Sequence, residues 1–100
     1  MIGTPMSCSI GILTIEYHLE GCQSLKEKRS RLMGVRDRFG KNPSIAICES
    51  DHQDILQSAQ WSYIATASSS KLVEKTLKQI EDFVAHNVDA VISDSCIEYL

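Results

Sequence analysis

The order in which helix-patterned and strand-patterned segments alternate constrains the fold more than any other feature of this sequence. Two segments repeat apolar residues at helical spacing, and four shorter segments are rich in β-branched residues or alternate apolar and polar positions. In chain order they are a strand over 9–19, a helix over 25–39, strands over 44–49 and 58–68, a helix over 70–87 and a strand over 90–97. The sequence therefore predicts the element order β-α-β-β-α-β.

The second helix has the clearest pattern, because its apolar residues recur at helical spacing between a start signal and a stop signal. Ser70 is a suitable N-cap, and Asn87 tolerates the left-handed conformation that ends many helices. The first helix has an apolar stripe that begins at Leu25, and Gly40 and Pro43 end it. The residues predicted to be buried are Leu13, Ile15, Leu32, Val35, Phe39, Ile47, Leu72, Leu77, Ile80, Phe83 and Val84.

The predicted order folds most economically into a four-stranded antiparallel sheet with both helices on one face, the ferredoxin-like α+β fold. The opposite sheet face is then uncovered, and Ile10, Ile12 and Ile64 would face water there. Such a face favours association, so we expect a homodimer or a higher oligomer. Cys48 and Cys96 lie in apolar strand patterns and are predicted to fill the core.

The length of 100 residues fits a single domain, predicted over residues 9–100, with a flexible lead-in over residues 1–8. Hydrophobic residues make up 43% and charged residues 23%, as in soluble proteins, and no apolar stretch is long enough for a membrane span. The N-terminus lacks the pattern of a secretory signal. We therefore expect a cytoplasmic protein without a membrane partner.

Positive charge is concentrated at the first helix, where residues 26–41 hold seven of the ten lysines and arginines. With two acidic residues this segment totals +5, whereas the whole chain totals −3, which leaves −8 for the other positions. Ser24 and Glu27 have the spacing of a capping box at its start. Most of the basic side chains are expected to face solvent or a partner. The candidate contacts to RNA or another partner are Lys26, Lys28, Arg29 and Arg31.

These basic residues stand in the first two turns, where the helix dipole favours acidic groups. Three interpretations remain open: a solvated helix face, pairing with the acidic remainder of the chain, or contact with the phosphates of a partner.

A second polar group consists of Asp51, His52 and Asp54, and His18 at the end of the first strand is a further candidate member. Histidine and carboxylates together are able to bind a metal or transfer a proton, but aspartates also favour turns. Adjacent residues point in different directions, so a turn is the simpler interpretation. No catalytic residue, metal or cofactor is expected.

Other functional motifs are absent from the sequence. The glycines are too scattered for a phosphate loop or a dinucleotide-binding loop, although Gly34 is predicted to allow a close approach of the first helix to the sheet. The four cysteines lack zinc-site spacing. The aromatic motif of RNA-recognition domains has no match. Trp61 and Tyr63 share one face of the third strand, where they are either core residues or platforms for bases.

Two segments resemble the YlxP-like family of small bacterial proteins, which has no firmly assigned activity. Residues 18–29 read H-L-E-G-C-Q-S-L-K-E-K-R, and residues 49–54 read E-S-D-H-Q-D. The resemblance covers about residues 9–97 and implies a ferredoxin-like fold and a bacterial cytoplasmic protein. Relatives are often encoded beside transcription and translation factors, which hints at RNA or the ribosome. This chain differs in having Ile55 and Leu56 where many relatives have Leu and Trp.

Three hypotheses for function follow from the sequence. The first is a binding module that docks its basic helix on RNA, such as structured ribosomal RNA. The second is a homo-oligomeric interaction module in which the charges maintain solubility. The third is a small enzyme or metal site at Asp51, His52 and Asp54.

Overall fold

A computed structural model describes residues 8–100 of the chain, and residues 1–7 of the predicted lead-in lie outside the described residues. The predicted element order is confirmed. The elements are β1 Ser9–His18, α1 Leu25–Phe39, β2 Ile45–Asp51, β3 Ser58–Ala67, α2 Ser70–Asn87 and β4 Val91–Tyr99. The fold is the predicted ferredoxin-like α+β arrangement.

The four strands form one antiparallel sheet in the order β2-β3-β1-β4, so the first strand lies inside the sheet. Leu13 pairs with Tyr63 of β3 on one side and with Ile97 of β4 on the other. Strands β2 and β3 form the predicted hairpin, and their register shifts between Glu49 and Asp51. This irregularity changes the direction of the backbone where β2 leads into the turn that holds His52 and Asp54.

The core lies between the helices and one face of the sheet, as the alternation in β1 predicts. Leu13 and Ile15 of β1 are fully buried in one cluster with Leu77 and Ile80 of α2. Two predicted core residues, Ile47 and Phe83, are only partly buried at its margin. One predicted core residue is wrong, because Leu72 is 48% exposed, and Leu25, at the start of the α1 stripe, is 41% exposed as well. The buried stripe of each helix is thus narrower than its apolar residues indicate in the sequence.

The two cysteines predicted to fill the core are instead exposed. Cys48 follows Ile47, which packs against the core, and successive strand residues point to opposite faces. Cys96 precedes Ile97 and is directed away from the core for the same reason. Both cysteines lie on the uncovered face, in register with Thr14 and Ser62.

Two glycines differ in how closely other residues approach them. A Cβ atom at Gly11 would lie 2.7 Å from Val73 Cγ1 and 3.0 Å from Leu77 Cδ1, so the absent side chain allows α2 to approach β1 closely. The similar approach of α1 predicted at Gly34 is wrong. A Cβ atom there would meet no other atom within 4 Å, so the sheet does not come close to this part of α1.

The uncovered face of the sheet mixes apolar and polar side chains. Ile12 pairs with Ile64, which is 36% exposed, and the next pair along the strands on this face is Thr14 with Ser62. The hydroxyls of this polar pair lie 3.4 Å apart. Neither helix in the described part of the chain is long and apolar enough to cross a membrane.

Candidate functional site

The start of α1 has the capping predicted from the sequence. Ser24 is the N-cap, and its hydroxyl accepts a hydrogen bond from the Glu27 amide at 3.0 Å. The Glu27 carboxylate in turn accepts from the amide of Gln23, one residue before the cap, at 3.4 Å. Gly21 has φ +68, a conformation that other residues rarely adopt, and it turns the chain into the helix. Caps of this kind satisfy amide groups that the first helical turn leaves unpaired and so stabilise the start of α1.

Lys28 does not face solvent, contrary to the expectation for the basic residues, because it is only 3% exposed. Its Nζ donates to the carbonyl oxygens of His52 and Ile55, both at 2.7 Å. The same nitrogen lies 3.2 Å from Glu49 Oε2. The ammonium group is therefore held within the chain by two hydrogen bonds and one ion pair. Lys28 joins the two segments that carry the family resemblance, 18–29 and 49–54.

Arg31 is also engaged within the chain, and its side chain is 13% exposed. Its Nη1 donates to the Glu20 carbonyl at 2.8 Å, and its Nε donates to the Asp89 carbonyl at 2.8 Å. Ion pairs to the carboxylates of Glu27 and Asp89, both at 3.3 Å, complete this arrangement. Arg31 thereby connects the loop after β1, the first turn of α1 and the loop before β4.

The other basic residues of α1 remain accessible. Lys26, Arg29, Arg36 and Arg38 are all exposed, and none forms an ion pair within residues 8–100. Arg29 and Arg36 are seven positions apart and therefore lie on the same flank of the helix. The structure thus divides the four predicted contact residues: Lys28 and Arg31 have partners inside the chain, whereas Lys26 and Arg29 do not.

A groove of about 270 Å³ runs between this flank and the edge of the sheet, and we call it the α1 groove. Its lining residues are Arg29, Met33, Arg36, Glu49 and Trp61. A neighbouring hollow of about 260 Å³ shares Arg29, Glu49 and Trp61 with it and continues toward Asp54. The two hollows therefore lie next to each other along α1.

Trp61 is the aromatic residue among those that line the α1 groove. The guanidinium carbon of Arg36 lies 5.1 Å from the centre of the indole ring, which is the geometry of a cation–π contact. The indole Nε1 is the single buried side-chain polar atom of residues 8–100 without a hydrogen-bond partner. Trp61 is partly buried, whereas Tyr63 is fully buried, so the two aromatic residues on this face of β3 have different environments.

The side chains of the polar turn, which holds Asp51, His52 and Asp54, do not converge on one point as the ligands of a metal site do. His52 has φ 63, its amide donates to Asp51 Oδ1 at 2.8 Å, and its Nε2 lies 3.1 Å from Glu16 Oε1. His18 instead contacts Glu20 at 2.9 Å. No group of three or more histidine, cysteine or acidic side chains within residues 8–100 is placed to hold a metal ion.

Sequence reasoning missed three residues of this region. Glu16 contacts both His52 and the Gln60 amide nitrogen, at 3.1 and 3.2 Å, from the uncovered sheet face. Glu49 and Arg36 line the α1 groove. The signal for Arg36 was its position seven residues after Arg29, which places both arginines on one flank of α1. The signal for Glu49 was its position two residues after Ile47, which places these two residues on the core face of β2.

Two solved structures show the same fold at low sequence identity. The de novo designed protein Foldit4 has a TM-score of 0.58 and 6% identity, over 93% of this chain and 96% of its own. The de novo designed protein Ferredog-Diesel has a TM-score of 0.51 and 10% identity, over 89% of this chain and 83% of its own. Likeness at this identity concerns the fold alone. Among curated proteins, none matches the sequence.

A family model described as a protein of unknown function, DUF503, matches residues 10–97. The match includes all six elements, except for the first residue of β1 and the last two of β4. It also contains both segments that Lys28 joins, and all the residues that line the α1 groove. The chain belongs to the DUF503 family of proteins of unknown function.

Proposed function

We propose that this chain, as a single domain over residues 9–100, is an RNA-binding module that docks the exposed flank of α1 on a structured RNA. The observation that carries the proposal is the division of the basic residues. Lys28 and Arg31 are satisfied by acceptors within the chain, whereas Lys26, Arg29 and Arg36 are exposed without carboxylate partners in the described residues. Exposed lysine and arginine side chains are the usual contacts to phosphate oxygens.

The charge distribution supports a specific orientation of docking. Residues 26–41 total +5 in a chain that totals −3, so the other positions total −8. An acidic remainder repels a polyanion, and the α1 flank is the surface that attracts it. Binding by this flank is therefore expected to be oriented, and weaker than that of strongly basic proteins.

The resemblance to YlxP-like proteins supports the choice of partner. Family members of that name are often encoded beside transcription and translation factors, so ribosomal RNA in the cytoplasm is the partner we propose. The two segments that carry the resemblance contact each other through Lys28 and hold α1 against the polar turn. They thereby keep the exposed flank of the helix in a fixed position.

The proposal predicts that the purified protein binds structured ribosomal RNA at low salt. Phosphate contacts release counterions, so the affinity should fall steeply as the salt concentration rises. A gel-shift titration measures this, and a pull-down from lysate with and without nuclease separates RNA partners from protein partners. Failure of the wild-type protein to bind ribosomal RNA at low salt would refute the proposal.

A homo-oligomeric interaction module is the second candidate, and the uncovered sheet face favours it. Ile12 and Ile64 pair across β1 and β3 on that face, and exposed apolar groups of this kind are normally limited in monomers. The occupant we propose for it is a second copy of the chain, related by a two-fold axis.

This second candidate predicts a particle of twice the chain mass of 11.2 kDa in light scattering at micromolar concentration. Ile64→Lys places a charge in the middle of the face and is expected to give the monomer mass. A wild-type protein that scatters as a monomer would exclude this association.

A further inference from the structure

We infer that the α1 groove holds one unpaired nucleotide of the bound RNA, with its base on the Arg36 guanidinium and its amino group donating to Glu49. The inference rests on the RNA-binding function proposed above. It goes beyond phosphate contact, because it assigns a chemical group that the α1 groove selects. RNA is read mainly at single-stranded loops and bulges, where an unstacked base is available.

The stacking platform is the pair formed by Arg36 and Trp61. The guanidinium lies over the indole at 5.1 Å from the ring centre, and the Arg36 side chain is otherwise exposed. Arg36 and Trp61 both line the groove. Arginine planes and aromatic rings both stack nucleobases. A base bound in the groove would therefore meet the Arg36 guanidinium beside the indole.

Glu49 supplies the selective contact. Its Oε2 is fixed by Lys28 Nζ at 3.2 Å, and its side chain is 29% exposed, where it lines the groove. Its Oε1 has no hydrogen-bond partner within residues 8–100. A carboxylate accepts from the exocyclic amine of cytosine but repels the carbonyl that uracil carries at the same ring position.

The dimensions suit a group of the size of a single base. The two neighbouring hollows measure about 270 and 260 Å³, and small-ligand pockets generally measure about 300–1,000 Å³. Each hollow is just below that range. Arg29 lines both hollows, and its guanidinium is suited to the phosphate that links the bound nucleotide to its neighbour.

The test uses the intrinsic fluorescence of Trp61, which is the only tryptophan in the sequence. The protein is titrated with oligocytidine and with oligouridine of equal length, which carry the same phosphates. The expected result is about tenfold tighter binding of oligocytidine, from one additional hydrogen bond to a charged group. The two salt dependences should be equal, because the number of phosphate contacts is the same.

Two variants that keep the net charge of the wild-type protein complete the test. Arg36→Lys keeps the charge but removes the planar group, so it should weaken oligocytidine binding about tenfold without changing the salt dependence. Arg38→Lys, outside the groove, should bind as the wild type does.

Each alternative result has a definite meaning. Equal affinity for both oligomers, or an Arg36→Lys variant that binds oligocytidine as the wild type does, would overturn the nucleotide assignment. If ribosomal RNA still binds in that case, the proposed function stands. Absence of all RNA binding would overturn both. An equal or larger fluorescence change with an acidic peptide would show that the α1 groove is a protein-docking site and would also overturn the assignment.

Discussion

Replacing Lys28 with methionine is expected to lower the free energy of unfolding by about 3–5 kcal/mol. Lys28 is 3% exposed, and its ammonium group donates to two carbonyl oxygens and forms an ion pair with the Glu49 carboxylate. Methionine fills similar space but donates nothing, so Glu49 loses its ion pair and the carbonyls of His52 and Ile55 lose the ammonium donor. The His52 carbonyl then keeps only the Ile55 amide, at 3.1 Å. Urea denaturation measures the loss, which is a large share of the roughly 5–15 kcal/mol that stabilises a typical domain.

Lys26→Met is the matched control for this substitution. It makes the same chemical change two positions earlier in α1, where the side chain is exposed and forms no ion pair within residues 8–100. Its effect on the free energy of unfolding should remain within about 0.5 kcal/mol. Equal denaturation midpoints for the two variants would contradict the role assigned to Lys28.

Replacing Leu77 with alanine should cost about 2–5 kcal/mol, because its side chain is fully buried between α2 and β1. Leu72→Ala, on the same helix, should change stability by no more than about 0.5 kcal/mol, because Leu72 is 48% exposed. Both leucines are predicted to be buried from the sequence, so this pair of thermal melts tests which flank of α2 contacts the sheet. A cost at Leu72 equal to that at Leu77 would show that the assigned face of α2 is wrong.

The element order was predictable because period and composition differ clearly between the helices and the strands. The errors lie where a pattern has two interpretations. Leu72 belongs to the α2 stripe by spacing but lies at its margin, and the N-cap of α2 is Ser69, one residue before the predicted Ser70. Cys48 belongs to an apolar run, but its position after Ile47 places it on the uncovered face.

The candidate site was less predictable because its contacts join distant parts of the chain. Lys28 reaches carbonyl oxygens 24 and 27 residues away, and no local pattern specifies such partners. One signal was present, since Lys28 lies four residues before Leu32 and therefore on the buried stripe of α1. The four predicted contact residues were correctly placed on one helix, but spacing alone does not show which of them have intramolecular acceptors.

This division changes how the basic helix is tested. A triple substitution of Lys28, Arg29 and Arg31 would combine a loss of stability with a loss of binding, because two of the three side chains are held within the chain. Lys26 and Arg29 are exposed and free of ion pairs in the described residues, so their removal isolates the contribution of phosphate contacts to binding. Lys75 and Lys78 on α2 are exposed as well and offer a control of equal charge.

The salt dependence of ribosomal RNA binding tests the central claim most directly. We expect Lys26→Ala with Arg29→Ala to reduce the slope of log affinity against log salt by about two units, one for each phosphate that a basic side chain no longer neutralises. Lys75→Ala with Lys78→Ala should leave the wild-type slope unchanged. The same slope in all three proteins, or an equal reduction in both double variants, would show that the exposed flank of α1 is not the RNA-binding surface.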